Sequence, residues 1–314
     1  MEPRKKISIL TACYNEQDNV AALVEAVATV FKALPQYDYE HVFIDNASAD
    51  NTVAVLKQVA ATDKHVKVIV NVRNFGHIRS PFHGLLQCKG EAVISLVADF
   101  QDPPEMIARF LEKWEEGYKI VLGIKFKSKE NPLMFGMRKL FYHLLSSFSG
   151  SADAPVKNFT GFGLYDQTFI SALRTLDDPY PYFRGLITEF GFDRYEIEYT
   201  QPKRKSGKTK NNFFTLYDMA MLGFVNHSKL PLRLSAFIGF ITSILSFITA
   251  VVYFVYKLFY WKDFEVGMAP LVIGIFFFSS VQLFFIGIIG EYIGAIHTQV
   301  KKRPLVIEKE RVNF

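Results

Sequence analysis

Glu91-Ala-Val-Ile-Ser-Leu-Val-Ala-Asp99-Phe-Gln101-Asp102-Pro-Pro-Glu105 joins an apolar run to an acidic turn, and its reading decides the fold. Ala92 to Ala98 is rich in Val, Ile and Leu, the composition of a strand covered on both faces in a parallel sheet. Asp99, Gln101 and Asp102 follow at its carboxyl end, the edge at which open α/β sheets bind ligands. Pro103 and Pro104 stop the strand and suit the first turn of a helix, Glu105 favours its positive end, and Met106 to Trp114 continue it. Carboxylate and carbonyl oxygens fixed at a strand end are hard ligands of the kind Mg²⁺ or Mn²⁺ accepts, usually alongside substrate phosphates. The turn is therefore expected to hold a metal-bridged diphosphate.

The same pattern recurs upstream. Ile7 to Cys13 reads as a strand, followed by Tyr14-Asn15-Glu16 and a helix from about Asn19 to Leu34. His41 to Ile44 is a second strand ending in Asp45-Asn46-Ala47-Ser48-Ala49-Asp50-Asn51-Thr52, with a helix to about Ala61. Val66 to Val70 is a third, followed by Asn71-Val72-Arg73-Asn74-Phe75-Gly76-His77 and a helix carrying Pro81 to Cys88. Alternation of strand and helix predicts a mostly parallel α/β sheet wound by right-handed crossovers. The loops at Asn15, Asp45 and Asp99 then share one sheet edge although far apart in the chain.

Beyond residue 229 the composition changes. Leu234 to Tyr256 and Val266 to Gly290 carry no charge, and each exceeds the roughly 20 residues a helix needs to cross a bilayer. Lys229 and Arg233 precede the first span, and Lys301, Lys302 and Arg303 follow the second, which places both ends in the cytoplasm. The expected organisation is a catalytic domain over 1–229, a transmembrane hairpin over 230–300 and a cytoplasmic tail over 301–314. Ile7 to Cys13 is too short for a signal peptide. Cys13 and Cys88 offer neither a metal spacing nor a disulfide framework. The net charge of +5 gathers near the membrane-facing segments, which points to anionic lipid or a phosphate substrate and away from nucleic acid.

These residues resemble the polyprenyl-phosphate glycosyltransferases of glycosyltransferase family 2, which have a GT-A catalytic domain and, in one branch, two C-terminal membrane helices. The marks are Tyr14-Asn15-Glu16, the Asp45 to Thr52 turn, Arg73-Asn74-Phe75-Gly76, Asp99 to Glu105, and Arg204-Lys205-Ser206-Gly207-Lys208-Thr209-Lys210. The resemblance implies transfer of a sugar from a nucleotide diphosphate to a polyprenyl phosphate, such as undecaprenyl or dolichyl phosphate, at the cytoplasmic membrane face. It implies that Asp45 touches the base, that Tyr14, Asn15, Glu16, Asn46, Ser48, Arg73 and Asn74 complete the donor pocket, and that Asp99 with Gln101 holds the divalent ion. It also implies acceptor-phosphate contacts from Lys125, Arg138, Arg204, Lys208 and Lys210, with Asp99, Arg204 and Lys210 most directly engaged in catalysis.

Three departures each lose a carboxylate. Asn46 stands where the family has a second acid, Val97 replaces the first Asp of Asp-x-Asp, and Gly161 stands where many members carry the acid proposed as base. A phosphate acceptor is largely dianionic at pH 7, its second pKa being about 6, so it has no proton that must be removed. It needs positive charge, which Lys203 to Lys210 supply. The apolar spacings over Leu133 to Phe148 and Phe213 to Val225 predict amphipathic helices that can lie at the membrane interface, the first of which would equally suit packing on the sheet. Two competing readings are a membrane-anchored nucleotide-binding protein that has lost catalysis and a glycan-extending synthase. The Gln-x-x-Arg-Trp motif of processive synthases is absent. The sequence is compatible with a homo-oligomer.

Overall fold

The computed structural model describes residues 4–126, 156, 158–202, 230–260 and 268–314. The chain divides into two compact units, Met1–Leu216 with Lys301–Phe314, and Tyr217–Val300.

In the first unit, β1 (Lys5–Cys13), β2 (Tyr37–Asp45), β3 (Val66–Asn71) and β4 (Ala92–Val97) are joined by α1 (Val20–Lys32), α2 (Thr52–Thr62) and α3 (Gly76–Gln87). All three pairings among these strands are parallel, as the sequence predicts. After α4 (Met106–Glu115) come β5 (Ile120–Lys125), β6 (Phe159–Asp166), α5 (Gln167–Arg174), α6 (Phe183–Glu189) and β7 (Arg194–Tyr199). The eight-stranded sheet has the order β7-β5-β6-β4-β1-β2-β3-β8, where β8 is Glu308–Val312. β6 runs antiparallel between β4 and β5, and β8 runs antiparallel to β3. Lys301–Phe314, read from sequence as a tail, thus groups with the first unit and ends its sheet.

Alternation along the strands builds two cores. Ile9 and Phe43 face one layer with Val27 and Phe110, whereas Leu10 and Ile44 face the other with Phe82 and Phe169. β4 is buried along most of its length, but its last residue is not: Val97 is 41% exposed. The expectation of a strand covered on both faces therefore fails at the ligand-binding end, where the sheet opens.

At the opposite end of the strands, Glu40 is 2% exposed and accepts hydrogen bonds from Ser8, Lys67 and the Lys89 N–H, with Lys6 also 2.8 Å away. Burial would raise its pKa, but these partners outweigh burial and hold it at about 2.

The second unit contains α7 (Leu230–Phe259) and α8 (Met268–Val300). Within them Leu232–Phe259 and Leu271–Val300 span 28 and 30 residues and leave their apolar side chains exposed. Both are long and apolar enough to cross a hydrocarbon core, which takes about 20 residues. The expected interface helices, Leu133 to Phe148 and Phe213 to Val225, lie outside the described residues.

Candidate active site

The loops after β1 and β2 are built around each other. Asn15 adopts φ +56°, donates its backbone N–H to Ser48 Oγ at 2.8 Å, and accepts the Ala49 N–H through Oδ1 at 2.8 Å. Glu16 donates its N–H to Thr52 Oγ1 and accepts from Asn19 Nδ2. Asp45 is fully buried; its carboxylate accepts the N–H of Ser48 at 2.9 Å and the Ser48 hydroxyl. Burial raises the Asp45 pKa, and these bonds act against it. Tyr14 is half-buried between Cys13 and Asn15. The structure therefore gathers Tyr14, Asn15, Glu16, Asp45 and Ser48 at one strand edge, with Asp45 turned to the loop it anchors.

Asn46 organises the next loop. Its Nδ2 donates to Asn74 Oδ1 at 2.9 Å and to the Gly76 carbonyl at 3.1 Å, while its Oδ1 accepts from Phe75 N–H at 2.8 Å and Asn71 Nδ2 at 3.3 Å. Two donations and two acceptances saturate the amide, and a carboxylate could make only the acceptances. The first lost acid thus has a structural reason. Arg73 and Asn74 are exposed on this loop, and the Arg73 guanidinium lies 4.2 Å from the centre of the Phe75 ring.

At the end of β4, Phe100 adopts φ +62°, and the Asp99 carboxylate, 4% exposed, accepts the Gln101 N–H at 3.1 Å. Asn15, Ala47 (φ +61°) and Phe100 thus place left-handed backbone in the loops after β1, β2 and β4, which are neighbours in the sheet. Such residues cost roughly 1–3 kcal/mol each and cluster at functional sites.

Asp102 points elsewhere. It is 3% exposed, accepting from Tyr199 Oη at 3.1 Å and from Val97 N–H at 3.2 Å. Burial raises its pKa to about 7; Tyr199 and the Val97 amide oppose that, and the Asp99 charge adds to it. Among the described residues no group of three or more His, Cys, Asp or Glu could hold an ion. A metal would take the Asp99 carboxylate and the Gln101 amide oxygen, completing its shell with phosphate and water. One carboxylate and an otherwise neutral oxygen set fit Mg²⁺ or Mn²⁺ arriving with a diphosphate.

Across the cleft, Lys125 ends β5 beside Tyr199 of β7. Pro103, Met106, Arg109, Phe126 and Tyr199 help line a pocket of about 550 Å³ next to them. Gly161 has φ +108°, a conformation that side-chain-bearing residues rarely adopt, although a Cβ there would meet open space. Asp166 lies at the other end of the sheet, paired with Ala92. It caps α5 through Thr168 N–H at 2.9 Å and accepts from Trp114 Nε1 at 2.7 Å. Arg138, Arg204, Lys208 and Lys210 lie outside the described residues.

Sequence reading missed the Asp102–Tyr199 pair and the amide of Asn71. Asn71 was legible by the rule that found Asp45: a polar residue closing an apolar strand.

Residues 8–172 match the family model for glycosyl transferase family 2. The chain is 32% identical over 303 residues to the uncharacterised glycosyltransferase YkcC of Bacillus subtilis, covering 96% of this chain and 92% of that one. It is 30% identical over 306 residues to the SfII prophage-derived bactoprenol glucosyl transferase of Shigella flexneri, covering 97% and 98%. Glucosyl-3-phosphoglycerate synthase from Mycobacterium tuberculosis, solved with Mn²⁺, uridine diphosphate and phosphoglyceric acid, shares the fold of the catalytic unit. That match has a TM-score of 0.50 and 16% identity over 70% of this chain and 76% of that one. With a GT-A-like, mostly parallel sheet followed by two long apolar helices, and a family match across more than half its length, this chain belongs to glycosyltransferase family 2 and is a glycosyltransferase.

Proposed function

We propose that the enzyme transfers a sugar from a nucleoside-diphosphate donor to the phosphate of a polyprenyl lipid, with inversion, at the cytoplasmic face of the membrane. The observation that carries this reading is the end-to-end similarity to a bactoprenol glucosyl transferase, which extends through both apolar helices. A soluble acceptor would give those helices no evident use.

The donor pocket is assigned to the loops holding Tyr14, Asn15, Glu16, Asp45, Asn46, Ser48, Arg73 and Asn74, already shaped by their mutual hydrogen bonds. Asp45 serves as its floor, fixing Ser48 and through it Asn15. Asp99 and Gln101 would hold a divalent cation, which when bound neutralises charge developing on the leaving diphosphate. Lys125, Arg138, Arg204, Lys208 and Lys210 hold the lipid phosphate next to the anomeric carbon. Arg204 clamps it bidentately and the lysines act as point charges. The acceptor dianion attacks directly. Gly161 offers no carboxyl group, and Asp166 is committed at the far end of the sheet.

β8 joins the sheet that contains β1, which supports a topology with both termini on one side of the membrane. The basic residues flanking both spans assign that side to the cytoplasm. Incubating the full-length membrane enzyme with a panel of nucleotide sugars and polyprenyl phosphate, then extracting lipid, tests the reading. A polyprenyl-phosphate-linked monosaccharide formed from one donor supports it. Donor binding without product under every metal and lipid condition would favour a nucleotide-binding protein that has lost catalysis.

A further inference from the structure

The segment that follows α8 does more than close a sheet edge, because its contacts bracket the Arg73–Gly76 loop, at Val72 before it and on α3 after it. The Ile307 carbonyl accepts the Val72 N–H at 3.0 Å, one residue before Arg73. The Pro304 carbonyl accepts from Arg79 Nη2 at 2.5 Å. The Arg79 guanidinium in turn lies 5.2 Å from the centre of the Phe75 ring, the same ring against which Arg73 packs. Further along, Glu308 bonds His83 Nε2 at 2.6 Å, and Arg311 reaches both Glu308 and Gln87 on α3. Val306 is buried, and Leu305 packs on the core beneath α3.

The loop itself is bonded from within, Asn46 holding Asn74 and Phe75 while Asn74 Oδ1 accepts the Gly76 N–H at 2.8 Å. Val72, Arg73 and Asn74 are exposed, and the helix that begins at Gly76 has no side-chain cap bond at Phe75. From inside, Asn46 fixes Asn74 and Phe75; from outside, residues 304–311 fix Val72 and, through Arg79, the Phe75 ring. Phe75 is thus clamped between an amide network on one side and a guanidinium tethered to the C-terminal segment on the other.

We propose that residues 304–311 form a positioning element of the donor site, acting through Arg79, which transmits the Pro304 contact to Phe75 and thereby sets Arg73 and Asn74. The inference rests on the assignment of Arg73 and Asn74 to donor binding. Donor affinity then depends on a segment that directly follows the second apolar helix in the chain.

The test measures donor KM and kcat for the full-length enzyme at saturating polyprenyl phosphate. Arg79→Met keeps the apolar stem but removes both the bond to Pro304 and the cation over Phe75. It should raise donor KM about tenfold with kcat nearly unchanged, the signature of lost ground-state and transition-state binding alike. Arg79→Lys, which retains a donor and a charge, should recover most of that loss. Deleting residues 304–314 should raise KM similarly, and adding Arg79→Met to the deletion should change KM little further, since both break the Pro304–Arg79 link through which the segment acts on Phe75. Where the deletion fails to fold, the Met and Lys pair decides alone. Asn74→Ala separates the two levels of the argument. If it raises KM while Arg79→Met does not, the positioning role is overturned and the donor loop stands. If Asn74→Ala leaves KM unchanged, the donor assignment falls and the proposal falls with it.

Discussion

The loops after β2 and β4 follow one plan with different outcomes. Each starts from an aspartate buried at the strand's carboxyl end, Asp45 or Asp99, and each soon passes through a left-handed residue, Ala47 or Phe100. In the β2 loop the carboxylate is tied to Ser48 through both its backbone and its hydroxyl, and the next residue, Asn46, spends its whole amide on the neighbouring loop. In the β4 loop Asp99 accepts the Gln101 N–H, and the second carboxylate, Asp102, faces inward to Tyr199. The difference teaches that a carboxylate at the ligand-binding edge is not by itself a catalytic one. The partners of Asp45 and Asp102 commit both to shaping the fold, whatever their residue type announces.

The comparison breaks most readily at Asp99. Asp99→Asn should lower kcat about 10³-fold, the scale of removing a main source of transition-state charge stabilisation, while circular dichroism and membrane insertion stay unchanged. A loss that large from Asp45→Asn, with Asp99→Asn nearly silent, would reverse the two roles. Asn46→Asp comes next. It turns two donations, to Asn74 Oδ1 and the Gly76 carbonyl, into contacts between acceptors. Each lost or opposed buried bond costs about 1–3 kcal/mol, so thermal stability should fall and donor KM should rise by at least about tenfold. Restoring the acid that the family carries should therefore harm this enzyme.

Asp166→Asn should keep turnover within about tenfold, because a general base contributes about 10²–10⁴-fold and this carboxylate is remote from Asp99. Its cost should be in stability, about 1–3 kcal/mol, because an amide nitrogen would face the Trp114 Nε1–H that the carboxylate now accepts, whereas Asn caps α5 as well as Asp does. Stability should also depend on pH. Burial raises Asp102 from 3.8 to about 7, so the folded state holds that proton more tightly than the unfolded chain does. Its contribution is full below about pH 4 and declines as pH rises through about 7. His41, fully buried, is lowered from 6.5 to about 3, and its contribution is lost as pH falls through that range. Thermal midpoints measured across pH should show the alkaline decline flattened in Asp102→Asn and the acid decline retained.

The parallel half of the sheet was legible because each strand is an apolar run ended by a polar turn, so Asn15, Asp45 and Asp99 could be placed at one edge from spacing alone. β6 was not: Gly161 and Gly163 dilute its strand signal, and a Cβ on Gly163 would sit 2.5 Å from the Val121 carbonyl. β8 hid for a different reason. Glu308-Lys-Glu-Arg-Val312 is charged as edge strands are, and its partner β3 lies more than two hundred residues earlier. The roles within the Asp99–Asp102 turn were half legible, since residue type announced oxygen ligands but only packing separated the carboxylate that faces Tyr199 from the one that does not.

The most direct test of the central claim follows the oxygen atoms of the acceptor. Polyprenyl phosphate labelled with ¹⁸O at its non-bridging oxygens is incubated with the enzyme and the matching nucleotide sugar, and the lipid product is analysed by mass spectrometry and NMR. Attack by the lipid phosphate on the anomeric carbon predicts that every label remains in the product and that the anomeric configuration is opposite to the donor's. Loss of a label, which requires bond cleavage at phosphorus, or retention of configuration would contradict the account.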